Sequence, residues 1–221
     1  GNTVVLQDQT RHLDPASILR TAERERVNLV QIIGDPFARP LIDELRRTAY
    51  DLSALKVLAS GGAVLSVSVK EELLALLPGQ VRIVDTVGSS ETGRQATHTS
   101  TRRRGASTGT FDPAPGACVL SADRRRRLEV GDDETGWFAQ YGRVPMGYLG
   151  DRDKTERTFP SIGGVRYSVP GDRARLRADG SIEVLGRDSV TINTGGEKVF
   201  AEEVESVLKK HPAVYDAVVC G

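Results

Sequence analysis

The sequence holds little of what most often announces an active site. Its two cysteines, Cys118 and Cys220, lie far apart and in no Cys-x-x-Cys or metal-like spacing. That argues against a redox pair or thiolate metal site and for reduced, buried thiols in a cytoplasmic protein. Its 3 histidines form no catalytic set: His12 precedes a helix cap, His98 sits in a polar stretch and His211 ends a helix. No Ser-His-Asp arrangement is visible. Net charge is missing too, since 30 Lys and Arg balance 30 Asp and Glu. A neutral chain offers no electrostatic case for nucleic acid as a partner. No apolar run is long enough to cross a bilayer, so no transmembrane segment is expected. The opening Gly1-Asn2-Thr3-Val4-Val5-Leu6 lacks the basic start and cleavage pattern of a signal peptide. It reads as a strand of something larger. The basic runs Arg102–Arg104 and Arg124–Arg127 read as a solvated loop and a solvated hairpin. Ser107-Thr108-Gly109-Thr110 has neither the lysine nor the strand-loop-helix setting of a phosphate loop.

What is present divides the 221 residues into three parts. Residues 1–93 alternate strand and helix. Asp14 caps a helix with Pro15 at its first position, and Ile18, Leu19 and Ala22 share one face. Val27–Ile33, Lys56–Ala59 and Val81–Val84 read as strands. Leu41, Ile42 and Leu45 mark a second helix, and Ser68 with Glu71 makes a capping box for a third. This order predicts a partial parallel α/β sheet with helices packed on it. Residues 94–188 lose helical periodicity. Short runs at Gly116–Leu120, Arg127–Val130, Trp137–Tyr141, Arg173–Arg177 and Ser181–Leu185 predict a small antiparallel, barrel-like β unit, with Asp179-Gly180 as a hairpin turn. Residues 189–221 read as the start of an α+β unit: a glycine turn, a helix with Val204, Val207 and Leu208 on one face, and a strand over Val214–Cys220. One hairpin, one helix and one strand are too little for a core, so the chain is expected to be a piece of a larger protein.

Two turns of small residues carry the chemistry. Ser60-Gly61-Gly62-Ala63 and Gly88-Ser89-Ser90-Glu91 each follow a predicted parallel strand. Ligands of open α/β sheets bind beyond the carboxyl ends of strands, and small residues there let backbone approach a base or a phosphate. Further on, Gly171-Asp172 offers a carboxylate, an acceptor-only group suited to a vicinal diol. Gly186-Arg187-Asp188-Ser189 then leads to Thr194-Gly195-Gly196-Glu197-Lys198 and an acidic helix.

In that order these motifs resemble the adenylate-forming superfamily, and within it the bacterial fatty-acyl-CoA synthetases (acyl-CoA ligases). The resemblance covers nearly the whole chain. Gly88, Ser90 and Glu91 match its aromatic-Gly-x-Thr-Glu motif, with Val87 in place of the aromatic residue. Tyr167-Ser168-Val169-Pro170-Gly171-Asp172 is similar to its Tyr-x-Thr-Gly-Asp motif, with Pro170 for threonine. The resemblance implies that Gly61, Gly62, Ala63, Asp85, Thr86, Val87, Gly88, Ser89 and Ser90 wall a nucleotide and acyl site. It implies that Ser90 reaches the α-phosphate, that Glu91 helps hold Mg2+, and that Asp172 and Arg187 hold ribose. Ser189 takes the hinge position, where Asp or Lys is usual, and Gly195, Gly196 and Glu197 border the CoA channel. Lys198 reads as a solvated strand lysine rather than a contact to a CoA phosphate. The implied reaction is ATP-dependent activation of a fatty or steroid side-chain carboxylic acid as acyl-AMP, followed by transfer to CoA. ATP, CoA and a small carboxylic acid are the implied partners. Loading of a carrier protein, or nucleotide binding by an inactive piece, are the alternatives. The superfamily's phosphate loop and its catalytic lysine match nothing in these residues.

Overall fold

The computed structural model describes residues 1–7, 11–194, 198–209, 211 and 213–220. Their contacts divide the chain into two units. The first comprises residues 1–85 and 99–108, the second residues 86–98 and 109–221.

The first unit is built as the apolar spacing predicts. Helix α1, Pro15–Arg24, starts at Asp14, whose side chain accepts from the Ser17 amide at 2.9 Å. Strand β1, Leu29–Ile32, pairs in parallel with β2, Val57–Gly61, in the register Leu29↔Val57 to Ile32↔Ser60. Between them runs α2, Gly34–Arg47, with Pro40 inside it. After β2 comes α3, Val67–Leu76, and then β3, Arg82–Ser89, whose first residues belong to this unit. Leu19, Ile32, Leu41, Ile42, Leu58, Val69, Leu73 and Ile83 belong to one buried cluster, between the helices and the strands. Burying such side chains contributes roughly 1.5–3 kcal/mol each. The start of α3 differs from expectation: Ser66, not Ser68, holds the N-cap position. The Ser66 amide is instead bound by the buried Asp35 carboxylate at 2.7 Å, which satisfies it from another helix. Arg102 is not a solvated loop residue either. Its guanidinium donates to the carbonyls of Leu74, Ala75 and Leu77 at the end of α3, groups that have no partner within the helix.

The second unit is mostly antiparallel. It contains the end of β3 and most of β4, Gly93–Ser100, then β5 (Thr110–Pro113), β6 (Ala117–Leu120) and β7 (Gly136–Tyr141). Helix α4, Arg152–Thr158, interrupts the strands, and β8 (Ser161–Ile162), β9 (Val165–Ser168), β10 (Asp172–Leu176) and β11 (Ile182–Arg187) follow. Neighbours run β4-β5-β11-β10-β7-β9-β8, with β6 also on β7. The sheet is open rather than closed into a barrel. Phe138, Val119, Ala174 and Ile182 form the centre of one core, and Leu120, Ala139, Tyr167 and Val169 the centre of another. The turn at Asp179-Gly180 forms as expected, with the Gly180 amide donating to the Arg177 carbonyl at 3.0 Å. Arg124 is not simply solvated: its guanidinium lies 3.9 Å from the Trp137 ring centre, and Arg173 lies 4.3 Å from the same centre.

Past β11 a single 3-10 turn, Asp188–Val190, leads to the two-residue strands β12 (Ile192–Asn193) and β13 (Lys198–Val199) and to α5, Ala201–Leu208. Phe200 and Ala201 are buried, but Val207 and Leu208 face solvent. No strand forms over residues 1–7 or among the described residues of 214–220. Both stretches have strand composition, but a strand needs a neighbouring strand to pair with, and among the described residues neither stretch pairs with one. Cys118 is a half-buried free thiol, pushed up to about 11 by loss of solvent, whereas Cys220 is exposed rather than buried.

Candidate functional site

The small-residue motifs take two different shapes. Gly61 closes β2, with Gly62 and Ala63 exposed beyond it at the strand's carboxyl end. Ser60 accepts from the Gly34 amide at 3.1 Å and so is spent on the start of α2. Asp85, in the middle of β3, makes a buried ion pair with Lys70 of α3. The lysine also donates to the carbonyl of Ser107. Burial holds the Lys70 ammonium below its usual range, against the attraction of Asp85 and then Asp35.

Gly88 and Ser89 do not form a turn; they are the last residues of β3. The turn is tighter and falls at Ser90–Thr92, where the chain reverses into β4. A Cβ on Gly88 would lie 2.0 Å from the Gly93 carbonyl oxygen, so only glycine lets the two sides of this hairpin approach. The tip is fixed by its own side chains. The Ser89 amide donates to Thr92 Oγ1 at 2.9 Å, and the Glu91 amide donates to Ser89 Oγ at 3.2 Å. Ser90 is exposed, Thr86 is half-buried, and Val87 packs against the Phe138 core.

Within the second unit the structure brings Glu91, Asp172 and Arg187 into one electrostatic group. Asp172 opens β10 and faces Arg187 at the end of β11 in the antiparallel register. Arg187 Nε lies 3.4 Å from Asp172 Oδ1. Burial pushes the Asp172 carboxyl above its ordinary range; Arg187 opposes this and the Glu91 charge adds to it. Glu91 is held the other way. The phenol of Tyr148 donates to its Oε1 at 2.6 Å, and this bond, against desolvation and with help from Ser89 and Arg187, keeps the carboxyl low. A fourth member comes from α5. The Glu202 carboxylate lies against Gly186, where an added Cβ would meet Glu202 Cδ at 3.0 Å. Burial and then the charges of Asp172 and Glu205 push Glu202 up, while Arg187 pulls it down.

Tyr148 and Glu202 were not singled out from sequence. Tyr148 had one available signal, its place just before Asp151, which caps α4 through the Lys154 amide at 2.9 Å. Glu202 had none beyond its position in an acidic first turn. Ser189 lies exposed in the Asp188–Val190 turn, which is tied back by the Asp188 amide donating to the Gly171 carbonyl at 3.0 Å. Gly195, Gly196 and Glu197 lie outside the described residues. Among the described residues, no three His, Cys, Asp or Glu side chains converge to hold a metal ion. Nor is any helix long and apolar enough to cross a membrane.

Residues 1–146 match the family model described as AMP-binding enzyme. The chain belongs to this AMP-binding enzyme family. Over 221 residues it is 52% identical to the medium-chain acyl-CoA ligase Mig of Mycobacterium avium, covering 100% of this chain and 40% of that protein. It is 43% identical over 222 residues to the medium/long-chain-fatty-acid–CoA/3-oxocholest-4-en-26-oate–CoA ligase of Mycobacterium marinum, covering 100% of this chain and 40% of that protein. The fold of this chain matches the crystal structure of the anthranilate CoA ligase AuaEII in complex with anthranoyl-AMP. The TM-score is 0.76 at 22% identity, over 94% of this chain and 39% of that one. The chain thus spans about 40% of the length of the curated relatives it matches.

Proposed function

We propose that this chain is the part of an ATP-dependent acyl-CoA ligase that holds the ribose and one edge of the polyphosphate. The acid substrate is a medium- or long-chain fatty acid or a steroid side-chain acid, the classes carried in the names of its relatives. In the first half-reaction a carboxylate oxygen of the acid attacks the α-phosphorus of ATP. The bond to the bridging oxygen breaks, and pyrophosphate leaves acyl-AMP behind. In the second, the CoA sulfur attacks the acyl carbonyl, loses its proton and expels AMP, giving the thioester.

The observation that carries this reading is the Asp172–Arg187 pair at the facing ends of β10 and β11. Asp172 supplies two acceptor oxygens for the two ribose hydroxyls. Arg187 opposes the burial that raises that carboxyl, and its own exposed guanidinium faces solvent, where a phosphate can be met. The exposed Ser90 hydroxyl at the hairpin tip is the α-phosphate donor. Gly61, Gly62 and Ala63 of the first unit are assigned to the nucleotide by the family resemblance alone. Asp85 we assign to holding β3 in place, because its charge is already spent on Lys70.

The donor set fits magnesium. That ion takes one or two carboxylates and completes its shell with water and substrate phosphates, so the single ionised Glu91 suffices without a protein cluster. When bound it would draw negative charge from the polyphosphate. Gly195, Gly196 and Glu197 are assigned to the CoA channel and Ser189 to the hinge, both by the family resemblance. The chain alone is expected to turn over no substrate, because the superfamily's phosphate loop and catalytic lysine match nothing in it.

Calorimetric titration of this chain with AMP, beside Asp172→Ala and Arg187→Ala, tests the proposal. Each substitution is expected to weaken binding at least about tenfold, or about 1.4 kcal/mol. Equal affinity in all three proteins would sink the ribose assignment.

A further inference from the structure

We infer that Tyr148 is a positioning residue for Glu91: it fixes one carboxylate oxygen so that the other is presented in a single direction at the hairpin tip. This rests on the proposed role of Glu91 beside a magnesium-bound polyphosphate. The two residues are far apart in sequence, and their contact joins the tip between β3 and β4 to the segment that enters α4. The phenol donates to Glu91 Oε1 at 2.6 Å, a charge-assisted bond of the strong kind.

Tyr148 is itself held from several sides, which distinguishes it from a surface tyrosine that happens to touch an acid. Its amide donates to Thr155 Oγ1 at 2.8 Å. Its ring packs on Phe159 with centres 5.6 Å apart. Lys154 Nζ stands 4.0 Å over the ring, a cation–π contact. The preceding Gly147 admits the Thr155 side chain where a Cβ would lie 2.4 Å from its methyl group, so the chain can fold back over α4 only with glycine there. Asp151 caps that same short helix. A run of small devices thus serves to place one hydroxyl. Glu91 is anchored from its own side through its amide on Ser89 Oγ. With backbone and one oxygen both fixed, the carboxylate loses the rotamer freedom that an exposed glutamate otherwise has to give up on binding.

Tyr148→Phe removes the hydroxyl and keeps the ring packing, so folding is expected to survive. The test uses four forms of this chain: parent, Tyr148→Phe, Glu91→Ala and the double variant. Two quantities are read on each: affinity for ATP with and without Mg2+, and the urea midpoint of unfolding. Tyr148→Phe is expected to weaken magnesium-dependent ATP binding three- to tenfold and to leave magnesium-free binding unchanged. In the Glu91→Ala background, where no side-chain acceptor remains for the phenol, it should add nothing to either quantity. Additive effects of the two substitutions on both quantities would overturn the inference. A different failure marks the function instead. If Glu91→Ala leaves magnesium-dependent binding untouched while the two sites remain non-additive in unfolding, Tyr148 does position Glu91, and it is the metal reading of Glu91 that falls.

Discussion

Each unit holds one conspicuous pair of opposite charges, and the two pairs are built in opposite ways. Lys70 and Asp85 are almost fully withdrawn from water, and the lysine has a second, carbonyl partner. Asp172 is 14% exposed by side chain while its partner Arg187 is 55% exposed. The first pair is closed on itself. The second couples a shielded acid to an open base, with Glu91 and Glu202 adding negative charge that Arg187 opposes. A closed pair can support a fold but has nothing to offer a ligand. An open, charge-unbalanced pair costs stability and leaves hydrogen-bonding capacity for something else. Sites are commonly found where such a cost is tolerated.

The comparison breaks most visibly at Lys70. Lys70→Met leaves the Asp85 carboxylate buried without its counter-charge, with Asp35 nearby. Removing one partner of a buried pair typically costs about 3–5 kcal/mol. Urea unfolding of Lys70→Met should show a loss of that size, and Lys70→Met with Asp85→Leu should recover most of it, because apolar replacement of both partners removes the desolvation penalty. A loss under about 1 kcal/mol would mean that the pair is not the structural clamp it looks like.

The open pair should respond with the opposite sign. Burial raises the folded Asp172 carboxyl above its unfolded value, so the unfolded chain releases that proton first as pH rises. Stability therefore falls with rising pH between the two values. The cost is fully present above the folded value and absent below the unfolded one. Asp172→Asn removes it. The variant should be at least as stable as the parent at pH 7, and the difference should shrink toward zero as pH falls through the ordinary carboxylate range. Glu202 contributes in the same direction, and it too is relieved by the substitution because the Asp172 charge pushes it up. Urea midpoints of the two proteins at a series of pH values check this. An Asp172→Asn chain less stable than the parent at neutral pH would mean that Arg187 more than compensates the burial.

How far these differences could be read before folding depends on where the information lies. The α/β order of the first unit is written in local apolar spacing and in Asp14-Pro15, and those elements form within a residue or two of expectation, except that β3 runs on past Val84 to Ser89. In the second unit β6, β7, β10, β11 and the Asp179-Gly180 turn were equally legible, but the run Arg127–Val130 forms no strand, only an isolated bridge from Arg127 to Leu120, and β4, β5, β8 and β9 carried no signal that was read. Helix α4 was not legible either: Arg152–Thr158 buries no residue, so it leaves no apolar period to find. Its start is set instead by the Asp151 cap. The strand-like runs at residues 1–6 and 214–220 went wrong because a strand is defined by a neighbour, which composition does not supply. At the candidate site, Asp172 and Arg187 were found by motif and face each other across the hairpin that turns at Asp179-Gly180, but the pull of Tyr148 on Glu91 and the approach of Glu202 to Gly186 are tertiary. Those residues, far apart in sequence, meet through the tip between β3 and β4, the segment before α4 and the start of α5.

The smallest effect is expected where sequence and structure disagree about a face. Apolar spacing puts Val204, Val207 and Leu208 on one side of α5, the usual sign of a buried stripe. The helix instead docks through its beginning. Phe200 and Ala201 are buried and Glu202 is half-buried against Gly186, while Val207 is 62% and Leu208 44% exposed. Truncating side chains that are already in water removes little transfer energy. Val207→Ser and Leu208→Gln should each shift the unfolding free energy of this chain by no more than about 0.5 kcal/mol. The same substitutions at Leu73 or Phe138 would cost several times that, because those side chains are 1% and 0% exposed. A loss of 2 kcal/mol or more at Leu208 would show that the last turn of α5 is covered in solution. The contrast between a docked helix start and an open helix end would then have to be given up.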